Sequence, residues 1–261
     1  MTFIRRTIRI FLLSLWFPFA SVLGIMACVG GWGGIKRVTK ISRLWALGIS
    51  KIIGMKIKVY GDPEKIEGGI IVANHQSYLD VIAHASVFRL RFAPKVEIAS
   101  WPVLGWMLAI SRPIWVDRES KQSSHKTLAE YRETLEHGIN LIVYPEGTSS
   151  DGTGILPFKS TPFEAVSSGN YKIYPVLIRY LRKPGEPTLC WYGDMTLPPH
   201  CWQILGRASI NVEIHILDPL LPEGRNRKEL AGFVHDYMEK KYAEIPTGIS
   251  NVERGMSKDE V

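Results

Sequence analysis

The feature that most constrains the fold is a run of 26 uncharged residues between Arg9 and Lys36. About 20 apolar residues are enough to cross the hydrocarbon core of a bilayer. Basic residues flank the run on both sides, so charge does not decide its orientation. Pro18 and the glycine-rich stretch at 30–34 interrupt a helix. Two arrangements therefore remain open: one spanning helix, or two short helices folded back on the same leaflet.

The positive charge of the chain is concentrated in the same region. The net charge is +7, but residues 1–61 contain ten Lys or Arg and no acidic residue, which leaves 22 basic and 25 acidic residues in the rest. We expect no nucleic-acid partner, because the charge belongs to the apolar element and not to a folded domain. Cations beside an apolar run favour anionic lipid headgroups. Residues 1–54 are predicted to anchor the chain in a membrane. The amphipathic helix predicted at 41–54 lies either on the membrane or against the core of the globular domain.

The cysteines bear on the compartment. There are three, at positions 28, 190 and 201, and they have neither disulfide nor metal spacing, which fits a reducing environment. The apolar run is longer than the roughly 7 to 15 residues of a secretory signal, and no small-residue cleavage site follows it. We therefore expect a protein of the inner (cytoplasmic) membrane whose functional site faces the cytoplasm.

From residue 55 onwards, short apolar runs alternate with helical patterns. Strands are predicted at 55–60, 69–73, 113–116, 140–144, 172–180 and 209–217. Helices are predicted at 77–88, 101–110, 122–137, 161–168 and 226–243, the last with a capping box of Asn226 and Glu229. The pattern indicates an α/β fold, with a mainly parallel central sheet flanked by helices and an N-terminal membrane-embedded helical segment. The domain would span 55–245, followed by a polar tail at 246–261.

The strand predicted at 69–73 leads into Asn74 and His75, and Asp80 follows five positions after His75. In α/β sheets, ligands bind at strand ends. If the intervening segment were wholly helical, His75 and Asp80 would point about 140° apart, at roughly 100° per residue, so they can meet only if His75 precedes the helix. Asp80 can then fix the tautomer of His75, which accepts a proton from a hydroxyl. The alternative is that Asp80 only caps a helix beginning at Ser77.

Two further apolar runs end in polar residues. The run at 140–144 leads into Pro-Glu-Gly-Thr at 145–148, where Glu146 can bind hydroxyl groups and backbone amides can cradle an anion. The run at 113–116 leads into an Asp-Arg pair, and its Arg118 suits bidentate contacts to phosphate or carboxylate. Each pattern alone also fits an ordinary turn or a surface ion pair.

In order and spacing, over roughly residues 55–220, these segments resemble the sequence blocks of the PlsC-type 1-acyl-sn-glycerol-3-phosphate acyltransferases, a family of glycerolipid acyltransferases. The matching residues are Asn74, His75 and Asp80, then Trp115, Val116, Asp117 and Arg118, then Tyr144, Pro145, Glu146, Gly147, Thr148, Ser149 and Ser150, and finally Tyr174, Pro175 and Val176. The segments 95–98 and 157–159 also resemble family features.

The resemblance implies that His75 is the catalytic base and that Asp80 orients it. It implies that the substrates are bound by Asn74, Lys95, Arg118, Glu146, Gly147, Thr148 and Lys159. It implies no metal and no cofactor. The acyl donor would be acyl-CoA or acyl carrier protein, and the acceptor a lysophospholipid among the membrane lipids.

One departure from the family pattern concerns the acceptor. Ser149 stands where the pattern has Arg, which removes a cation from the expected phosphate site. The commonest family acceptor is lysophosphatidic acid, which gives phosphatidic acid in phospholipid biosynthesis. The segments at 149–160 and 191–202 instead resemble lyso-ornithine lipid acyltransferases, whose acceptor carries no phosphate.

Two other classes stay open at this point. One is a metal-dependent hydrolase that uses His75, Asp80 and His84, although these residues lack a recognisable ligand spacing. The other is a catalytically silent protein that keeps the fold only to bind membranes.

Overall fold

The computed structural model describes residues 1–101, 104–117, 121–169, 171–183 and 185–246. Its strands are β1 (Met55–Tyr60), β2 (Ile70–Ala73), β3 (Leu90–Phe92), β4 (Asn140–Val143), β5 (Ile173–Leu181) and β6 (Ile210–Ile216). They form one sheet in the order β1-β6-β5-β2-β4-β3. The sheet is mixed, since β5 and β6 pair antiparallel while the other neighbours pair parallel.

Helices cover the sheet. They are α1 (Thr2–Ala27), α2 (Gly31–Ile53), α3 (Leu79–Val87), α4 (Leu104–Ile110), α5 (Lys121–Glu136), α6 (Glu164–Ser167), α7 (Leu197–Gly206) and α8 (Arg227–Glu244). The predicted capping box of the last helix is confirmed, because the Asn226 side chain accepts from the N–H of Glu229 and the Glu229 side chain accepts from the N–H of Asn226.

The central strand β2 divides the core into two layers. Its side chains point alternately to the two faces, so Ile71 and Ala73 pack in a layer with α2, α3 and α7, while Ile70 and Val72 pack in a layer with α5 and α8. All four side chains are completely buried. A strand covered on both faces is an uninterrupted apolar run, which explains why β2 was readable in the sequence.

Three elements differ from the sequence prediction. The run at 113–116 is not a strand: Val116 makes one isolated bridge, to Lys95, beside the short edge strand β3, which was not predicted. Helix α7 was also missed, since its first turn contains two prolines that suggest a turn in the sequence but fit the start of a helix.

The polar tail lies outside the described residues from 247 onwards.

The N-terminal segment is a hairpin of two long helices. The predicted break at Pro18 is absent: α1 continues through it, and the chain reverses between Ala27 and Gly31. Within the hairpin, the indole N–H of Trp16 donates to the carbonyl of Trp45 at 3.0 Å. The two helices approach so closely that the indole occupies the space of a side chain at Gly48. The amphipathic helix predicted at 41–54 is the second half of α2.

Both ends of α1 are bound to the sheet-containing domain. At its start, Arg9 donates to the carbonyl oxygens of Leu205 and Arg207 at 3.1 and 2.6 Å, at the end of α7. At the turn of the hairpin, Arg112 donates to the carbonyl oxygens of Cys28 and Gly31 at 3.2 and 3.3 Å. The hairpin therefore lies along the domain.

The outer face of α1 is apolar. Its exposed large side chains include Phe3, Ile4, Ile8, Phe11, Leu12, Leu15, Phe19, Val22, Ile25 and Met26. Among the described residues, α1 is the one helix that is long and apolar enough to cross a membrane. At 26 residues, it is about 39 Å long.

Replacing Arg9 with Met should loosen the hairpin from α7, because three backbone carbonyls would lose their cationic donor. We expect the free energy of unfolding in detergent micelles, measured with urea, to fall by about 2 kcal/mol. Lys40→Met, at an exposed position of α2, is the control and should change it by less than about 0.5 kcal/mol. Equal values for the two variants would contradict the docking role of Arg9.

Candidate active site

The turn after β2 is held by Asn74. Its side-chain oxygen accepts from the N–H of Ile178 at 2.7 Å, and its side-chain nitrogen donates to the carbonyl of Ile178 at 3.1 Å. These bonds extend the pairing of β2 with β5 by one residue. Asn74 is completely buried and its amide is used in this way, which gives it a positioning role; its predicted contact with substrate stays a prediction.

His75 and Asp80 meet as the spacing predicted. Helix α3 begins at Leu79, so His75 precedes it, and its Nδ1 lies 2.7 Å from Asp80 Oδ2. Asp80 is completely buried, whereas 22% of the His75 side chain is exposed. A carboxylate at Nδ1 keeps the proton on that nitrogen and leaves Nε2 as the acceptor. The pair has the arrangement of a general base and the residue that orients it.

Asp80 also holds the turn that leads into its helix. Its Oδ2 accepts from the backbone N–H groups of Gln76 at 2.7 Å and Ser77 at 3.0 Å. Both donors belong to the turn that precedes α3, whose N-cap residue Tyr78 makes no side-chain cap bond within the described chain. The capping alternative is not realised as predicted, because the Ser77 hydroxyl has no hydrogen-bond partner among the described residues; Asp80 instead holds the turn with the same oxygen that contacts His75.

Two tyrosines contact this pair, and of these sequence reasoning missed Tyr180. The Tyr180 hydroxyl donates to Asp80 Oδ1 at 2.5 Å. The ring of Tyr144 stacks on the His75 ring with 4.3 Å between centroids, and its hydroxyl lies 2.9 Å from His84 Nδ1. One signal was available for Tyr180, because alternation along β5 puts it on the same face as Val176 and Ile178.

His84 lies beneath this layer. Burial lowers the pKa of His84 to about 4, so its ring is neutral at physiological pH. Its Nδ1 bonds to Tyr144, which differs from the metal-ligand arrangement that the hydrolase hypothesis requires. Within the described part of the chain, the three residues that come together with metal-ligand spacing are His235, Asp236 and Glu239, on α8.

Glu146 joins two loops. Its Oε1 accepts from the N–H of His75 at 2.6 Å, and its Oε2 accepts from the N–H of Leu156 at 3.0 Å. Burial raises the pKa of Glu146 to about 7, against the opposite effect of these two backbone donors. Glu146 therefore lies against the dyad and holds the His75 turn to the loop that follows it.

A cation lies beside the same loop. Gly147 has a left-handed backbone with φ of 75°, and a Cβ built on it would lie 2.9 Å from Lys159 Nζ. The backbone N–H of Lys159 donates to the carbonyl of Pro145 at 2.9 Å, which fixes the two segments together. Thr148 is exposed next to them. Three of the predicted substrate-binding residues are thus neighbours at one edge of the dyad.

The other basic residues that were predicted to bind phosphate are Lys95 and Arg118. Lys95 Nζ pairs with Glu97 at 2.7 Å, next to the edge strand β3. Arg118 lies outside the described residues, so its predicted contact with phosphate stays a prediction. At the position where the family pattern has Arg, the Ser149 hydroxyl donates to the carbonyl of Trp191.

Known proteins resemble this chain in sequence and fold. A family model described as acyltransferase matches residues 56–179. The 1-acyl-sn-glycerol-3-phosphate acyltransferase of Neisseria gonorrhoeae is 33% identical over 153 residues, a match that spans 58% of this chain and only 60% of that protein. The lyso-ornithine lipid O-acyltransferase of Rhodobacter capsulatus is 32% identical over 189 residues, or 69% of this chain and 67% of that protein.

The fold is similar to a solved structure. The crystal structure of the 1-acyl-sn-glycerophosphate (LPA) acyltransferase PlsC from Thermotoga maritima superposes with a TM-score of 0.66, covering 94% of this chain and 97% of that one. At 19% identity, this match concerns the fold, which is a sheet flanked by helices.

The raised pKa of Glu146 predicts a pH dependence of stability. A carboxyl group whose pKa rises on folding, here from 4.5 to about 7, stabilises the protein below pH 4.5, and this contribution is lost as the pH rises to about 7. In Glu146→Gln the contribution is absent. One pKa unit is worth about 1.4 kcal/mol. The unfolding free energy of the wild type, taken relative to that of the variant, should therefore fall by up to about 3 kcal/mol as the pH rises from 4.5 to 7. Urea unfolding across this range tests it, and a constant difference would contradict the assignment.

Proposed function

The chain belongs to the PlsC-type acyltransferase family, and on this premise we propose that it is a 1-acyl-sn-glycerol-3-phosphate O-acyltransferase. It transfers an acyl chain from acyl-CoA or acyl carrier protein to the free hydroxyl of lysophosphatidic acid and forms phosphatidic acid. The observation that carries this proposal is the His75–Asp80 pair, with 2.7 Å between Nδ1 and Oδ2, at the end of a buried strand.

The reaction needs one base and no protein nucleophile. His75 Nε2 takes the proton of the acceptor hydroxyl while the hydroxyl oxygen attacks the thioester carbonyl carbon. The resulting tetrahedral oxyanion collapses, the C–S bond breaks, and the thiolate that leaves takes the proton from His75. Asp80 stabilises the imidazolium between these steps. A positioned general base typically supplies about 10² to 10⁴ in rate.

The acceptor binds beside Glu146 and Gly147. Lys159 supplies a positive charge for its phosphate, an assignment supported by the 2.9 Å between Nζ and the position of a Cβ on Gly147. An anion would also meet the backbone amides of this loop, where glycine permits the left-handed turn. Arg118 and Lys95 are further proposed phosphate contacts.

The hairpin anchors the enzyme in the inner (cytoplasmic) membrane, with the active site facing the cytoplasm. Support comes from the exposed apolar face of α1 and from exposed Leu44 and Leu47 on α2. Because both ends of α1 contact the same domain, an orientation along the membrane surface suits the hairpin better than a crossing. The lipid acceptor and product can then stay in the bilayer while the donor arrives from the cytoplasm.

A second acceptor class is favoured by a specific observation. Ser149 is uncharged, and its hydroxyl donates to the Trp191 carbonyl. It therefore does not supply the positive charge of the arginine in the family pattern. The similarity to the Rhodobacter capsulatus protein points in the same direction. Lyso-ornithine lipid is therefore the alternative acceptor, and it would use the same base.

His75→Ala should lower kcat for acyl transfer by at least about 100-fold, because the hydroxyl loses its base. The purified variant is assayed in lipid vesicles with a labelled thioester donor, and circular dichroism checks that it is folded. His125→Ala, at an exposed position of α5, is the control and should keep wild-type kcat. Transfer at the wild-type rate by folded His75→Ala would exclude the dyad as the catalytic centre.

The acceptor is tested by offering lysophosphatidic acid and lyso-ornithine lipid, separately and in competition, with each donor. We expect the higher kcat/KM for lysophosphatidic acid, with phosphatidic acid identified by mass spectrometry. A preference for lyso-ornithine lipid would replace the first proposal with the second, since both acceptors offer a free hydroxyl to the same base.

A further inference from the structure

The Asp80 carboxylate has bonds on both of its oxygens. Oδ2 accepts from His75 and from the two backbone N–H groups of the turn, whereas Oδ1 accepts from the Tyr180 hydroxyl at 2.5 Å. Tyr180 comes from strand β5, 100 positions later in the sequence. We infer that Tyr180 is a positioning residue for the catalytic pair, which acts by fixing the rotation of the Asp80 carboxylate. This inference rests on the proposed function of His75 and Asp80.

A carboxylate without a partner on one oxygen can rotate about its bond to Cβ. Here, rotation would move Oδ2 away from His75 Nδ1 and break the two bonds to the turn. The three bonds to Oδ2 oppose this rotation at one oxygen, and the Tyr180 hydroxyl opposes it at the other. It also satisfies a charge that is completely buried, which would otherwise be costly.

The hydroxyl is a dependable donor. Burial raises the pKa of Tyr180 well above its ordinary value, and the charge of Asp80 acts in the same direction. The phenol therefore stays protonated at neutral pH. A hydrogen bond from a neutral donor to a carboxylate is charge-assisted, and the 2.5 Å distance is typical of such O–H bonds.

Strand β5 holds the whole catalytic turn at two points. The backbone of Ile178 binds the Asn74 side chain before the turn, and its carbonyl also accepts from Gln76 Nε2 at 3.1 Å. Two residues further along, on the same face of the strand, the Tyr180 side chain binds Asp80 after the turn. The spacing of Ile178 and Tyr180 along β5 therefore sets the distance between Asn74 and Asp80 at the two ends of the turn. None of the sequence blocks that carried the family resemblance includes Tyr180.

The test is Tyr180→Phe, which removes one oxygen and keeps the ring. We expect kcat to fall about 10- to 100-fold while KM for the acceptor changes less than about twofold, because the base is misplaced and the acceptor pocket is not. Tyr60→Phe is the matched control. It removes a hydroxyl bond to a carboxylate, Glu213, at 3.0 Å between β1 and β6. Unchanged kcat in Tyr180→Phe, or a rise of KM alone, would overturn the inference.

A double-mutant cycle distinguishes positioning from packing. If Tyr180 acts through Asp80, adding Tyr180→Phe to Asp80→Asn should lower kcat by less than about twofold further. The same factor in both backgrounds would overturn the inference. Should Tyr180→Phe alone fail to fold, a folded double variant would support the bond to the buried charge, and an unfolded double variant would refute it.

The result for Tyr180 can be distinguished from the result for the proposed function. Full activity of His75→Ala would remove the dyad, and with it the basis of the inference. Loss of activity in His75→Ala together with full activity in Tyr180→Phe would leave the function in place and reject only the role of Tyr180.

Discussion

The buried carboxylate of Asp80 connects the parts of the molecule that make up the site. It accepts hydrogen bonds from the His75 ring, from the backbone of Gln76 and Ser77, and from Tyr180. A buried charge costs several kcal/mol unless its hydrogen-bonding capacity is filled. The turn after β2, the start of α3 and strand β5 must therefore all be in place at once. The geometry of the proposed catalytic pair and the local folding of this turn depend on the same four donors.

Much of the fold was readable from local pattern. Strands β2 and β4 are short apolar runs because both of their faces are covered, and the position of His75 before α3 followed from helical geometry. The edge was misread, since the run at 113–116 makes backbone hydrogen bonds to Phe92, Pro94 and Val96 but only one isolated bridge, so it is not a regular strand. An apolar run does not reveal over how many residues its backbone pairs with a neighbour.

The site was predictable in its centre and less so in its surroundings. His75, Asp80 and Glu146 stand out because polar residues follow apolar strands. The partners of Asn74 and Tyr180 are about 100 positions away in the sequence, and no local pattern reports contacts over that distance. Asn74 shows the difficulty: an amide at a strand end suits substrate binding in the sequence, yet here it completes the pairing of two strands.

The bonds of Arg9 have a consequence for how the protein is made. Its acceptors lie 196 and 198 positions further along the chain. At a synthesis rate of roughly 5 to 20 residues per second, about 10 to 40 s pass between the appearance of α1 and that of its partners. During that interval α2, which packs against α1, and Arg112, which contacts the turn of the hairpin, are made before the α7 surface that Arg9 binds. The order of synthesis thus lets the proposed membrane anchor form first, and the sheet-containing domain then completes its packing against α1.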